Sequence, residues 1–351
     1  MPLLDGPAPA RILIRATNWV GDAIMSLPAL RAVRGACPSA HIAVLARSWV
    51  AGVYARESFA DRVIAYAPKP GAGDWGAKWR LARDLRRERF DWALLMPNSF
   101  DSAATAYLAR IPVRAGYNRD GRRILLTHPV ERPKPGAIPR HESFYYLELL
   151  RRLGLAGELP AEVTIRLEGA VEAAADGARQ LQERGLAGPW IGISPGAAYG
   201  TAKRWLPERF AEAGAAVAKR LGASVLVFGT PAEVDVCGAV AAMLRERGAA
   251  AADLSGATSL TGFIDMAAAC RAFLTNDSGS MHIASALGIP TVTVFGATDH
   301  VATGPTGGRA VVIREPVECS PCLKRVCPID HRCMTRISAE RVADAVLELV
   351  K

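Results

Sequence analysis

Residues 272–295 read Ala272-Phe-Leu-Thr-Asn-Asp-Ser-Gly-Ser-Met-His-Ile-Ala-Ser-Ala-Leu-Gly-Ile-Pro-Thr-Val-Thr-Val-Phe295. A short apolar run ends at Thr275, small polar residues follow at Asp277-Ser278-Gly279, and an Ala-rich helical pattern begins at once. After Gly288 and Pro290 a second apolar run starts at Thr291. Strand, tight turn, helix and strand in this order are the repeating unit of a parallel sheet with crossover helices. Helix starts carry unpaired N–H groups and positive partial charge, so they hold phosphate. Gly279 lets an anion approach the backbone, and His282, one turn in, is placed to reach the same ligand. The competing reading is an Asp or Ser N-cap on an ordinary turn.

The same rhythm runs through the whole chain. Arg11 to Arg15 is the first apolar run, with a helix from about Asp22 to Gly35. Later strand candidates are His41 to Ala46, Arg62 to Tyr66, Trp92 to Met96 and Pro112 to Ala115, separated by helical stretches. A Pro- and Arg-rich loop from Pro129 to Pro139, a helix from about His141 to Leu153 and a short strand, Glu162 to Arg166, close this half. Gly169 to Arg184 reads as a helix leading to a Gly/Pro boundary at residues 185–189. The second half restarts with Trp190 to Ser194, Ser224 to Phe228, Ala251 to Leu254 and the opening segment. Helices follow from Pro207, Pro231 and Leu260, and a last amphipathic helix spans Ser338 to Val350. The predicted fold class is α/β, with two doubly wound domains and a cleft between them. In such sheets ligands sit outside the carboxyl ends of the strands.

Composition narrows the partners. At 351 residues the chain is long enough for two α/β domains, and 50% hydrophobic residues supply ample core. No run reaches the roughly 18–20 apolar residues of a membrane span, and Met1 to Ala10 lacks the pattern of a signal peptide. The expected location is cytoplasmic or peripheral on a cytoplasmic surface. The net charge of +9 suits anionic partners: phosphorylated metabolites, anionic lipid or nucleic acid. Cys37, Cys237 and Cys270 read as buried thiols. The other four cluster as Cys319-x2-Cys322-x4-Cys327-x5-Cys333 with His331 in the last gap, which reads as free thiols ahead of a structural metal site.

Gly71-Ala-Gly-Asp-Trp-Gly76 matches a dinucleotide fingerprint literally. Pro68 and Pro70 interrupt the approach from the strand, and the fingerprint needs strand, turn and helix in immediate succession, so a nicotinamide enzyme is not supported. No Asp-x-Asp and no Gly-Lys-Ser/Thr occur. Enzymes that hold a diphosphate through Mg²⁺ use closely spaced carboxylates; without them, cations and helix ends must neutralise the phosphates. The loop Ser194-Pro-Gly-Ala-Ala-Tyr-Gly-Thr-Ala-Lys203-Arg204-Trp205 supplies such groups after the first strand of the second half. Lys203 is a mobile point charge suited to phosphate. Glu233, after Phe228-Gly-Thr-Pro, is placed either to accept from ribose hydroxyls or to face the helix dipole. In the first half, Asn18-Trp-Val-Gly-Asp22 joins the first strand to its helix, where Asp22 is either a cap or a general base. Arg114, Tyr117, Asn118, Arg119, Arg122 and Arg123 crowd a loop after a strand and suggest an acceptor-side anion site or a flexible basic loop. The Arg-rich helix from Lys78 to Arg89 reads as a solvated face, with anionic lipid as a partner it would suit.

Taken together, Trp19-Val-Gly-Asp22, Leu95-Met-Pro-Asn-Ser-Phe100, Gly116-Tyr117, Pro195-Gly196 through Ala202-Lys-Arg-Trp205, and Thr275 through His282 resemble glycosyltransferase family 9 nearly end to end. The chain departs from the family pattern at Ala198, where an acidic residue is usual, and at Thr201, where Pro is usual. The resemblance implies a GT-B fold, with an acceptor domain over residues 1–168, a linker over 169–188, a donor domain over 189–336 and a last helix, 337–351, crossing back to the first domain. It implies metal-independent, inverting transfer of heptose from ADP-heptose to the first heptose of the lipopolysaccharide inner core, whose base is Kdo-lipid A, with no cofactor and no nucleic acid. Contact with the cytoplasmic face of the inner membrane is expected. The catalytic residues so implied are Asp22 and Lys203. The donor site is Gly196, Thr201, Lys203, Glu233, Asp277, Ser278, Gly279 and His282; the acceptor site is Asn18, Trp19, Asn98, Tyr117, Arg119 and Arg122. Family branches acting on other acceptors are the near alternative, and a non-catalytic module binding anionic lipid or nucleic acid is the distant one.

Overall fold

The computed structural model describes residues 3–67 and 75–351, which fall into two compact units, 1–163 and 164–351. The first four positions of the Gly71–Gly76 motif lie outside the described residues. The first unit runs β1 (Arg11–Arg15), α1 (Val20–Ala36), β2 (His41–Arg47), α2 (Ser48–Ala51), β3 (Arg62–Tyr66), α3 (Trp75–Arg87), β4 (Trp92–Leu95), α4 (Phe100–Leu108), β5 (Val113–Tyr117), β6 (His128–Val130) and α5 (Glu142–Arg152). The second runs α6 (Ala170–Glu183), β7 (Trp190–Ser194), α7 (Pro207–Leu221), β8 (Ser224–Val227), α8 (Val234–Glu246), β9 (Ala251–Asp253), α9 (Leu260–Ala268), β10 (Ala272–Asn276), α10 (Gly279–Ala286), β11 (Thr291–Phe295), α11 (His300–Thr303), β12 (Ala310–Arg314), α12 (Arg332–Thr335) and α13 (Ala339–Leu349).

Each unit holds one parallel six-stranded sheet. The orders are β3-β2-β1-β4-β5-β6 and β12-β11-β10-β7-β8-β9, so both sheets have the doubly wound order 3-2-1-4-5-6 when each is counted from its own first strand. Central strands buried on both faces are continuously apolar, as in Ile12-Leu13-Ile14 of β1 and Trp190 to Ile193 of β7, because helices cover both sides. Ile14 lies between Val44 of β2 and Leu94 of β4; Ile193 lies between Val227 of β8 and Leu274 of β10. The strand order reverses at β1/β4 and at β7/β10, which fixes where each unit opens a crevice.

Two expectations about organisation are corrected. Residues 170–183 are helix α6, packed along α9, and not a linker: Gly177 has no side chain, and a Cβ there would lie 1.9 Å from the Asp265 carbonyl oxygen. The last helix packs on α7, β10, β11 and β12, where Val342, Ala343 and Val346 join the core of the second unit. The strand at Glu162 to Arg166 does not form; Ile165 donates its N–H to Thr306 Oγ1 outside any sheet. Two edge strands, β6 and β12, were not anticipated. β6 carries Pro129, which a sheet tolerates only at such a margin. Among the described residues no helix is long and apolar enough to cross a membrane.

Candidate active site

Both reversal points carry the residues singled out above. In the first unit β1 ends on Arg15 and leads to Thr17, Asn18, Trp19 and Asp22, while β4 leads to Met96, Pro97, Asn98 and Ser99; together they line a cavity of about 430 Å³. Arg15 is buried and reaches Asn18 Oδ1 at 2.7 Å, and Arg47 Nε reaches the same oxygen at 3.2 Å. Trp49 Nε1 donates to the Asn18 carbonyl at 3.0 Å. Asn18 is thereby held from three sides. Burial pulls the Arg15 guanidinium below its ordinary pKa, an effect the stacked Tyr66 opposes.

Helix α1 starts at Val20 with Trp19 as N-cap and no side-chain cap bond, so Asp22 is third in the helix and does not cap it. The packing of α1 on α5 brings Glu142, the first residue of α5, into the same cavity. Burial, and then the Asp22 carboxylate, raise the Glu142 pKa above the ordinary carboxyl value. Tyr146, fully enclosed beside them, is raised well above its ordinary value by burial. Arg119 and Arg132 bring cations to the cavity. Asn98 Nδ2 donates to the Tyr145 hydroxyl at 3.0 Å.

Two of the expected acceptor residues stand behind the cavity wall. Tyr117 is completely buried; its hydroxyl donates to the Tyr145 carbonyl at 2.8 Å, and the two rings lie 4.4 Å apart. Arg122 is also completely buried, donating to the Tyr117 carbonyl at 2.8 Å, to Ser102 Oγ at 3.0 Å and to the Pro97 carbonyl. Burial lowers its pKa to about 10. Arg122 thus pins the strand ends that shape the cavity and offers no charge to a ligand. Conversely, Glu142, Tyr145, Tyr146 and Arg132 were missed. The first three sit in the helix read from about His141 to Leu153, and Arg132 in the Pro- and Arg-rich loop before it, two stretches in which no motif stands out.

In the second unit Asn276 ties the crevice together. It is fully buried, accepting from Trp205 N at 2.9 Å and donating to the Pro195 carbonyl at 2.7 Å. Lys203 Nζ sits 2.6 Å from Asp277 Oδ2 and 4.9 Å from the centre of the Tyr199 ring. Thr298 also donates to Asp277. The Asp277 carboxylate therefore serves the lysine and is not a helix cap. Ser278 occupies the N-cap position of α10 but makes no side-chain cap bond. Its hydroxyl joins a chain instead: Thr275–Ser278 at 3.2 Å, Ser278–Ser280 at 3.2 Å and Ser280–Ser194 at 2.8 Å. By contrast α4, α9 and α13 are capped by Ser99, Ser259 and Ser338. The α10 start, which opens at Gly279, therefore keeps its N–H groups clear of a side-chain cap. His282 lies in its first turn and is buried.

Glu233 closes a capping box with Thr230, its Oε2 accepting from the Thr230 N–H at 2.9 Å and hydroxyl at 2.8 Å. Its other oxygen faces Gly196: a Cβ there would lie 2.1 Å from Oε1. Thr201 is exposed at the start of a short turn ending at Lys203. That turn is gripped by the cysteine-bearing segment. Tyr199 donates its hydroxyl to the Leu323 carbonyl at 2.8 Å, the Ala202 N–H meets the Arg325 carbonyl at 3.0 Å, and His331 Nε2 lies 3.1 Å from the Ala202 carbonyl. All seven cysteines are free, with Cys37, Cys237 and Cys270 buried as expected. Burial and the neighbouring thiols push Cys333 up to about 11. Among the described residues no group of three or more His, Cys, Asp or Glu is arranged to hold a metal ion.

Comparison with known proteins agrees with this arrangement. Residues 78–332 match Glycosyltransferase family 9 (heptosyltransferase). The chain is 33% identical to lipopolysaccharide heptosyltransferase 2 of Salmonella typhimurium over 315 residues, 87% of this chain and 88% of that one. It is also 33% identical to lipopolysaccharide heptosyltransferase 2 of Escherichia coli, with the same coverage. The solved structure of E. coli ADP-heptose LPS heptosyltransferase II superposes with a TM-score of 0.79 at 28% identity, covering 97% of this chain and 98% of that one. Two doubly wound sheets, the motifs at both reversal points and these likenesses lead to one conclusion: the chain belongs to glycosyltransferase family 9 and is a glycosyltransferase of GT-B fold.

Proposed function

We propose that this enzyme transfers L-glycero-D-manno-heptose from ADP-heptose to the first heptose of the lipopolysaccharide inner core, the heptosyltransferase II reaction. The observation that carries the reading is the placement of Asp22 and Lys203 at equivalent reversal points of two sheets of the same order. Asp22 takes the proton from an acceptor hydroxyl as that oxygen bonds to the anomeric carbon of the donor. The bond from that carbon to the ADP phosphate breaks, and attack from the opposite face inverts the anomeric centre. Charge that develops on the leaving diphosphate is met by Lys203 and the uncapped start of α10, in the manner of an oxyanion site. These groups let the step run without a bound metal. Asp277 repels phosphate and acts by aiming Lys203. Gly196, Thr201, Ser278 and Gly279 line the donor approach, Glu233 takes the ribose, and His282 backs the α10 turn. Arg119, Arg132, Asn18, Trp19 and Asn98 receive the anionic acceptor, with Tyr117 and Arg122 setting the wall behind it. The acceptor is lipid-linked, so the enzyme works at the cytoplasmic face of the inner membrane.

Mass spectrometry of defined inner-core acceptors incubated with ADP-heptose tests this. Addition of one heptose to a mono-heptosylated acceptor is expected. Addition only to a heptose-free acceptor, or only to one already carrying two, assigns the enzyme to another branch of the family.

A further inference from the structure

The molecule has seven tryptophans, and their exposure is divided sharply. Trp92, Trp190 and Trp205 are buried, whereas Trp19, Trp49, Trp75 and Trp79 are 63%, 50%, 63% and 58% exposed, and all four belong to the first unit. Ring-sized apolar groups left in water in one region mark an interaction surface. Two of them lie on α3, whose inner face, Ala82 and Leu85, is spent on the core. On the outward face Trp75, Trp79, Arg83 and Arg87 follow one another at four-residue spacing, one per turn, and Arg80 and Arg86 lie exposed beside them. Asp84 is the only acid within the helix.

This stripe continues to the mouth of the Asp22 cavity. Lys78 Nζ lies 5.4 Å from the centre of the Trp75 ring and 2.6 Å from Asp101 Oδ1 in α4. Asp101 follows the exposed Phe100 and the cavity residue Ser99. On the other side Trp49 is bonded to Asn18, which lines the cavity with Trp19. Aromatic rings and cations therefore run together from α3 to the rim of the cavity.

We propose that the outward face of α3, continued by Phe100, Trp49 and Trp19, is a docking surface for an anionic phospholipid bilayer. Indole rings settle at the headgroup level, with the apolar body inward and the N–H wet. Guanidinium groups pair with headgroup phosphates, and their stems cover apolar surface. A helix lying in the interface plane with mixed aromatic and basic faces needs no spanning segment. The surface delivers the cavity to a sugar that stands on a lipid anchor; this part rests on the heptosyl-transfer reading above.

The test uses the full chain, sedimented with vesicles of phosphatidylcholine alone or mixed with phosphatidylglycerol. Wild type is expected to bind the mixed vesicles, less tightly as salt rises, and to leave the neutral ones. Arg80→Glu/Arg83→Glu/Arg87→Glu should lose at least about fivefold in affinity per charge removed. Trp75→Ala/Trp79→Ala should lose vesicle binding, and Trp75→Phe/Trp79→Phe should recover part of it. Turnover on a deacylated, soluble acceptor should be unchanged in all three variants, which separates docking from chemistry. Absence of turnover on that acceptor by wild type would instead fault the transferase reading. Equal vesicle binding by wild type and variants, binding indifferent to lipid charge, or a wild-type dimer that dissociates in the tryptophan variant would overturn the proposal.

Discussion

The two sheets share one strand order, yet their reversal points are built in opposite ways. In the first unit the crevice is an open cavity with Asp22 and Glu142 brought together at the starts of α1 and α5. In the second, Asn276 bridges the crevice and Lys203 is paired with the buried Asp277. Topology decides where a ligand goes; side chains decide what is done there. A proton acceptor needs a carboxylate in a roomy, partly desolvated site. A leaving diphosphate needs a cation aimed in advance, and aiming it takes a fixed partner. Both functional helices, α1 and α10, lack the side-chain caps that α4, α9 and α13 possess. The missing cap is not special to them, since α6, α7 and α8 lack one too; what differs is the residues each junction presents, a carboxylate after β1 and a small-residue turn after β10.

The sharpest way to break this contrast is Asp22→Asn. Turnover should fall by about 10³-fold, within the range for loss of a general base, while calorimetry shows ADP affinity unchanged. A rate close to wild type would remove Asp22 from the chemistry. Lys203→Ala should cost about 10²-fold in kcat and weaken ADP binding. It also strands the Asp277 carboxylate, a loss of about 3 kcal/mol, which Lys203→Ala/Asp277→Asn should largely restore in denaturant melts without restoring kcat. Excess EDTA should leave wild-type turnover intact; lost activity in a folded enzyme would place a metal where Lys203 is assigned.

Gly196→Ala is a smaller and more local challenge. Its methyl group would meet the Glu233 carboxylate, an overpacking cost of about 1–3 kcal/mol. Donor affinity should fall, and Glu233→Ala in the same chain should relieve the clash; equal ADP affinity in Gly196→Ala and wild type would show that the turn yields freely. The mildest effect is expected for Glu142→Gln. A carboxyl whose folded pKa is raised carries no penalty below the ordinary value of 4.5, acquires it as pH rises through the raised value, and bears it in full above. Glu142→Gln should therefore melt higher than wild type near neutral pH, and that advantage should vanish below the ordinary carboxyl value. A difference that persists in acid would point to packing and not to charge.

Much of this was legible in one dimension. Apolar runs of four to seven residues, broken by Gly, Pro and small polar residues, placed ten of the twelve strands among the described residues, because strands covered on both faces are largely apolar. The turns after β1, β7 and β10 were visible for the same reason: small residues at strand-to-helix junctions are where a parallel sheet opens. β6 escaped because it is three residues long with a proline inside it; β12 was missed although Ala310 to Ile313 is an apolar run. Helix α6 was seen, but its membership of the second unit depends on its contact with α9, a partner about 90 residues away in sequence.

Charge and residue type along the chain determined the chemistry available: a carboxylate after β1, a lysine after β7, a small-residue helix start after β10. Only tertiary packing decided how each is used. It buried Tyr117 and Arg122 behind the wall they were expected to line, set Glu142 beside Asp22 from a helix 120 residues away, and made Asp277, expected in the donor site, the partner of Lys203. The reason is physical. Strand and helix propensities are local, whereas desolvation and charge pairing depend on which groups the fold brings within a few ångströms.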